Sequence, residues 1–263
     1  MEISEDKINA DISTIDIMVK TFSIYTARFV DFAVPFILFG LVGGVVSAIT
    51  FSNLPVDISV LDYSLLGIGE LFIDVLKILL VIIFLASVDW VIYTVLLATS
   101  VKITSDILDN REVDQLKIFN EIIEMLPSIL GASLISSVLI IIGFIALIIP
   151  GIYIATIFNL IIPVIVIERR NALASLSRSK DLIRFRWMET FGLILLLIVT
   201  IVPTTLIVNG VFGLVLPFPF GAIIATVAAL ILQPIYGIAI TILYYSRVEQ
   251  ERLVQSSTAN NIL

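Results

Sequence analysis

The chain has 263 residues, of which 59% are hydrophobic and only 14% charged, with a formal net charge of −7. Soluble domains carry about 25% charged residues, so a water-soluble fold could not hide this much apolar surface and a polytopic membrane protein is implied. Cysteine and histidine are both absent, which removes disulfides, thiolate nucleophiles, cysteine-bound zinc and the commonest general base, while the acidic balance disfavours nucleic acid as a partner.

Residues 1–29 are polar and acidic and lack the positive start and apolar core of a secretory signal. Ile12, Ile15, Val19 and Phe22 recur at helical spacing, which predicts an amphipathic helix on the membrane surface or packed on the bundle. Span one covers about 30–51, with Gly40, Gly43 and Gly44 as small residues for close helix approach. The loop 52–65 has no Lys or Arg. The apolar run from 66 to 101 is too long for one span of about 20 residues. Its first part carries Glu70, Asp74 and Lys77 on one helical stripe. That part either lies along the outer surface or extends span two, which is placed at 79–101.

Leu116, Phe119, Ile122 and Ile123 mark a second amphipathic helix before span three, 126–149. Pro150-Gly151 is expected to turn the chain, because proline lacks an N–H and glycine accepts the bend. Span four, 152–167, ends abruptly at Glu168, Arg169 and Arg170, and a basic amphipathic helix follows to Trp187. Span five covers about 189–211 and span six 220–245, with a flexible tail at 246–263. The fold class is therefore all-α: a membrane bundle of six transmembrane helices with amphipathic interfacial helices on one side. An interfacial helix precedes each pair of spans, which suggests three parallel two-span repeats. With six spans, 14 of the 15 basic residues fall on one face, Lys77 being the exception. The positive-inside rule then puts both termini in the cytoplasm of a prokaryotic cell and the chain in its cytoplasmic membrane.

Two groups of residues are candidate sites. Asp89, Asn159 and Gln233 fall near mid-depth of spans two, four and six, with Pro163 and Pro234 loosening the helices beside them. An ionised carboxylate at that depth costs about 2.5–3.5 kcal/mol on insertion scales. The three could form a polar cavity in which Asp89 binds a proton, cation or head group. Alternatively they are interhelical hydrogen bonds, with Asp89 protonated or amide-paired. Arg169, Arg170, Arg178, Lys180, Arg184 and Arg186 could grip anionic lipid head groups, or simply set topology. No phosphate loop, Ser–Lys dyad or metal-spaced carboxylate cluster occurs, so neither catalysis nor a cofactor is implied.

Ile149-Pro150-Gly151-Ile152-Tyr153, then Pro163 and Glu168, then Ser175-Leu176-Ser177-Arg178-Ser179 with Leu182 and Trp187, and finally Leu243-Tyr244-Tyr245 with Arg247 form a pattern. It resembles the glycerophosphoryl diester phosphodiesterase membrane-domain family, with the YciC-type six-span inner-membrane proteins beside it. The resemblance spans about residues 15–250. It implies Pro150, Gly151, Pro163, Glu168, Ser179 and Trp187 as structural positions of a membrane module. Ser175 replaces the family's usual alanine, and the glycine expected before Trp187 is missing. The soluble barrel fused to some members needs catalytic histidines and a further domain that this chain lacks. The expected function is therefore a non-enzymatic, lipid-associated structural or scaffolding module, with a protein partner or a second copy as possible associates. The alternative is a small transporter or channel component using Asp89, Asn159 and Gln233.

Overall fold

The computed structural model describes residues 11–52, 68–217 and 220–260. Among them all regular structure is helical, as an apolar solvent demands of backbone groups that cannot bond to water. The ten helices are α1 (Thr14–Ala27), α2 (Phe29–Ser52), α3 (Ile68–Leu108), α4 (Gln115–Ala146), α5 (Ile148–Ile157), α6 (Ile161–Glu168), α7 (Ala172–Ile183), α8 (Trp187–Val215), α9 (Phe220–Ile231) and α10 (Pro234–Asn260). Six stretches are long and apolar enough to cross a membrane: α2, α3, α4, the α5–α6 pair, α8 and the α9–α10 pair. The protein is a multi-pass membrane protein.

Several boundaries differ from the sequence expectation. Of the two places offered for the residues before span two the structure takes the second, an extension of the span, so α3 is one helix of 41 residues. The second amphipathic segment likewise runs unbroken into span three, making α4 32 residues long. The tail expected to be flexible is helical through Asn260. The turn between spans three and four falls at Leu147, which is fully extended (φ −167°, ψ 154°), and not at Pro150-Gly151. Pro150 instead sits in the first turn of α5, where its missing N–H costs nothing. Gly151 is needed for space, since a Cβ there would stand 2.5 Å from the ring of Phe144. The loop expected at 52–65, where no basic residue occurs, lies outside the described residues beyond Ser52.

Spans four and six are each interrupted, and proline is the cause. Pro163 cannot donate to the carbonyl of Asn159, and Pro234 cannot donate to that of Leu230. The helix accordingly breaks at 158–160 and again at 232–233. Pro35, Pro127 and Pro203 are absorbed inside continuous helices.

The helices pack in a cyclic pattern of three. Each unit is a capped leading helix, a first span and a second span. Ser13, Asp114 and Asn171 are the three caps, each accepting a backbone N–H in the first helical turn. The second spans meet at the centre, where α3 packs on α10 and α6. Each first span touches its own second span and that of the unit before: α2 with α3 and α9, α4 with α5 and α3, α8 with α9 and α5. Each leading helix also docks on the preceding unit: α1 on α10, the start of α4 on α3, α7 on α6. The contacts thus recur cyclically over the three units that hydropathy alone suggested.

The leading helices carry apolar residues on two faces. Ile17, Met18 and Ile24 of α1 are buried, as are Ile118 and Ile122 of α4 and Leu176 and Ile183 of α7. The stripe noted from spacing in α1 (Ile15, Val19, Phe22) points outward, as do Leu116, Phe119 and Leu173. That suits helices lying between a bundle and a lipid surface. Close approach between spans follows from small residues. A Cβ on Gly40 would lie 3.1 Å from the Val227 backbone, and one on Gly44 3.0 Å from that of Ile223, so α2 and α9 meet backbone to backbone.

Candidate functional site: a polar opening between interrupted spans

Asp89 lies midway along α3 between Lys77 and Lys102, which are about 37 Å apart at 1.5 Å per residue. It is therefore at the middle of the stretch of α3 that holds no other charge. On a helical wheel Leu96 and Ser100 fall within about 20° of Asp89. Both are in the packed core, 1% and 0% exposed, and Ser100 Oγ donates to the Pro234 carbonyl of α10 at 3.3 Å. Asp89 is on this same inward stripe, yet it is exposed. It makes no hydrogen bond or ion pair with any described residue. Tyr93, one turn nearer the core, is also 36% exposed, although it lies close enough to Tyr236 for their phenols to interact.

The two interruptions account for this opening. Below them, α6 and α10 pack on α3. Above them, α5 leaves for α4 and α8, and α9 leaves for α2 and α8. Along this face of α3, Leu96 and Ser100 are covered and Asp89 is exposed, while Leu85, one turn further on, is buried again.

Asn159 and Tyr236 meet at the level of the breaks, with Asn159 Nδ2 donating to the Tyr236 hydroxyl at 2.5 Å. Asn159 Oδ1 is buried without a hydrogen-bond partner. Turning the amide over would give the acceptor to Tyr236 and leave the NH2 unmet, so one end of Asn159 is orphaned in either setting. Gln233 is half-buried at the second break. Asn159 and Gln233 thus stand at the two breaks, Asp89 stands one turn from Tyr93 on α3, and the three do not bond to one another. Sequence reasoning missed Tyr93 and Tyr236, although Tyr93 stands one turn from Asp89 and Tyr236 two residues after Pro234.

The freed backbone groups at the breaks are met by side chains from elsewhere. Ser179 of α7 donates to the Ile157 carbonyl at 2.7 Å and accepts from the Leu160 N–H at 3.1 Å. Tyr25 of α1 donates to the Ile231 carbonyl at 2.7 Å. The leading helices therefore hold the breaks of the units they dock on.

A collar of charge closes the end of the bundle that holds the leading helices, with one network at each unit junction. In the first, Lys102 bridges Asp106 (2.9 Å) and Glu121 (3.2 Å), and Arg169, in a left-handed conformation (φ 56°), reaches Glu121 at 2.7 Å. In the second, Glu168 accepts from Arg170 (2.5 Å), Arg178 (3.0 Å) and the Tyr244 hydroxyl (2.9 Å). Arg178 also forks onto Glu251 at 2.8 and 2.6 Å. That hydrogen bond is the main reason the Arg178 guanidinium is held above its usual pKa range, with Glu168 adding to it. In the third, Glu189 binds Arg247 (3.1 Å) and Arg186 (3.5 Å), and Arg186 binds Asp11 at 2.9 Å.

Of the six basic residues considered for lipid contact, Arg169, Arg170, Arg178 and Arg186 are thus committed to acids. The Lys180 side chain is exposed and makes no bond among the described residues. Arg184 sits 3.9 Å from Asp181 and over the ring of exposed Phe185. An amphiphilic cleft of about 810 Å³ opens between α7 and the end of α10, bordered by Arg184, Phe185, Leu253 and Val254. Trp187 packs edge-on against Tyr153 at 5.5 Å. No group of three His, Cys, Asp or Glu side chains suited to a metal gathers among the described residues. No family model, curated protein or solved structure matches the chain.

Proposed function

We propose that this protein is a non-enzymatic, solute-handling membrane protein, a small transporter or channel component that works at the opening beside Asp89. The observation that carries this reading is the exposure of Asp89 on a stripe that is packed two and three turns further along, at Leu96 and Ser100. Interrupted spans facing one another near mid-depth are the arrangement by which membrane proteins place polar groups against a solute. The collar belongs to the cytoplasmic side on this reading, by the positive-inside rule, and the opening faces away from it. The resemblance to the glycerophosphoryl diester phosphodiesterase membrane-domain family implies a membrane module and is common to this reading and the next. Gly151, Pro163, Glu168, Ser179 and Trp187 all do structural work around the interrupted fourth span.

The absence of cysteine gives a clean test. In right-side-out vesicles, Tyr93→Cys is expected to react with a membrane-impermeant thiol reagent, and Gln255→Cys only after permeabilisation. A Tyr93→Cys protein that folds but stays unmodified from both sides would remove the opening and with it this reading.

A second reading, a lipid-associated scaffolding module, is favoured by the outward face of α7, where Leu173, Lys180, Arg184 and Phe185 are all exposed. Only the two cations without a close acid partner, Lys180 and Arg184, should matter. Lys180→Gln with Arg184→Gln is expected to weaken anionic-lipid binding about thirtyfold, seen as a loss of co-purified anionic lipid at unchanged thermal stability, at about 1 kcal/mol per cation near a charged surface. Lipid content equal to that of the parent protein would count against this role.

A further inference from the structure

We infer that the opening takes a small monovalent cation, either a metal ion or a protonated amine, with Asp89 as its counter-charge. The inference rests on the solute-handling reading and adds the class of solute. Asp89 is the one charged residue between Lys77 and Lys102 on α3, and no Lys or Arg occurs within 112–168 except Lys117, or within 187–246. The basic residues of spans two, four and six therefore stay at the ends, and the field at mid-depth is set by a carboxylate.

The polar groups that lead away from it are phenols and a carboxamide: Tyr93 stands one turn along α3, its phenol interacts with that of Tyr236, and Asn159 bonds the Tyr236 hydroxyl. Their oxygens and ring faces suit a cation, and none of them supplies a positive charge to an anion. One carboxylate neutralises one charge. A divalent ion such as calcium takes six to eight oxygens, several of them ionised, and a second acid is missing from this depth of spans two, four and six. Low dielectric around the opening leaves the Asp89 field little screened.

The probe is the rate at which Tyr93→Cys reacts with thiosulfonates of opposite charge in proteoliposomes, each normalised to its rate with a free thiol. A single carboxylate focusing charge in a cleft is expected to favour the trimethylammonium reagent over the sulfonate reagent by about tenfold. Asp89→Asn should bring that ratio back to near one. At constant ionic strength, sodium, potassium or tetramethylammonium should slow the cationic reagent relative to N-methylglucamine, and which of them does so separates a metal ion from an amine. Equal rates for the two reagents, or a ratio that survives Asp89→Asn, would overturn the inference and leave the opening standing. Failure of all three cations to compete would also overturn it, since a field without a site attracts but does not bind. No reaction with either reagent would sink both this inference and the solute-handling reading. Gln233→Cys serves as the second position if Tyr93→Cys does not fold.

Discussion

Gly237→Ala is expected to lower the stability of the bundle by about 1–3 kcal/mol, the usual cost of forcing an extra methyl into a packed core. A Cβ at Gly237 would lie 2.6 Å from Ser100 Cβ and would also strike Ser100 Oγ. Ser100 Cβ is fixed to the backbone of α3 and cannot swing aside, so the helices themselves must separate. That contact joins two of the three second spans immediately below the opening. Separation would also lengthen the bond from Ser100 Oγ to the Pro234 carbonyl. Thermal denaturation followed by size exclusion in detergent would show the loss as a fall in Tm. Ser100→Gly in the same chain should restore much of it, because the clash needs both atoms. Two losses that simply add would mean that α3 and α10 do not touch here.

The sequence reveals much of the fold because apolar length is a local signal. Six spans, one charged face and three leading helices can all be read from runs of residues and the placing of Lys and Arg. The breaks could be suspected from Pro163 and Pro234, since proline acts on its own helix. What those breaks do is not local. Nothing in the residues around Asp89 says that α5 and α9 swing away from α3, so an exposed acid and a sealed one have the same sequence. The basic helix shows the reverse limit. Arg178 reads as a lipid-facing cation because its partners, Glu168 and Glu251, lie 10 and 73 residues away. The caps at Ser13, Asp114 and Asn171 were legible and would have strengthened the repeat, since each precedes an apolar-periodic stretch.

The cyclic packing also explains why so much charge sits inside the collar. Each junction joins the end of one second span to the leading helix of the next unit, and each does so through acids and cations: Lys102 with Glu121, Glu168 with Arg178, Arg247 through Glu189 and Arg186 to Asp11. Apolar packing between spans is weak as a source of specificity in lipid, where the tails are as apolar as the side chains. Charge pairing at the water-facing end fixes which helix docks on which unit.

Ser179→Ala should be the most damaging single-atom deletion in the leading helices. The Ser179 hydroxyl is fully buried and serves both sides of one break, as donor to Ile157 and acceptor from Leu160. Its loss leaves two backbone groups unmet, at about 1–3 kcal/mol each. Relaxation of the broken turn recovers part of this, so a net loss of about 2–4 kcal/mol is expected, seen as a fall of several degrees in Tm. Ser177→Ala, two residues away and exposed, should change nothing measurable. Cysteine access at Tyr93 gives the second readout, because α6 holds the covered part of α3 only while the break keeps its geometry. If Ser179→Ala destabilises the protein while the Tyr93→Cys rate is unaltered, the serine anchors α7 alone. If both change together, the docking of a leading helix sets the shape of the opening in the unit before it. A Tm equal to the parent's would mean that the break satisfies its own backbone, and α7 would lose its role as the piece that holds span four open.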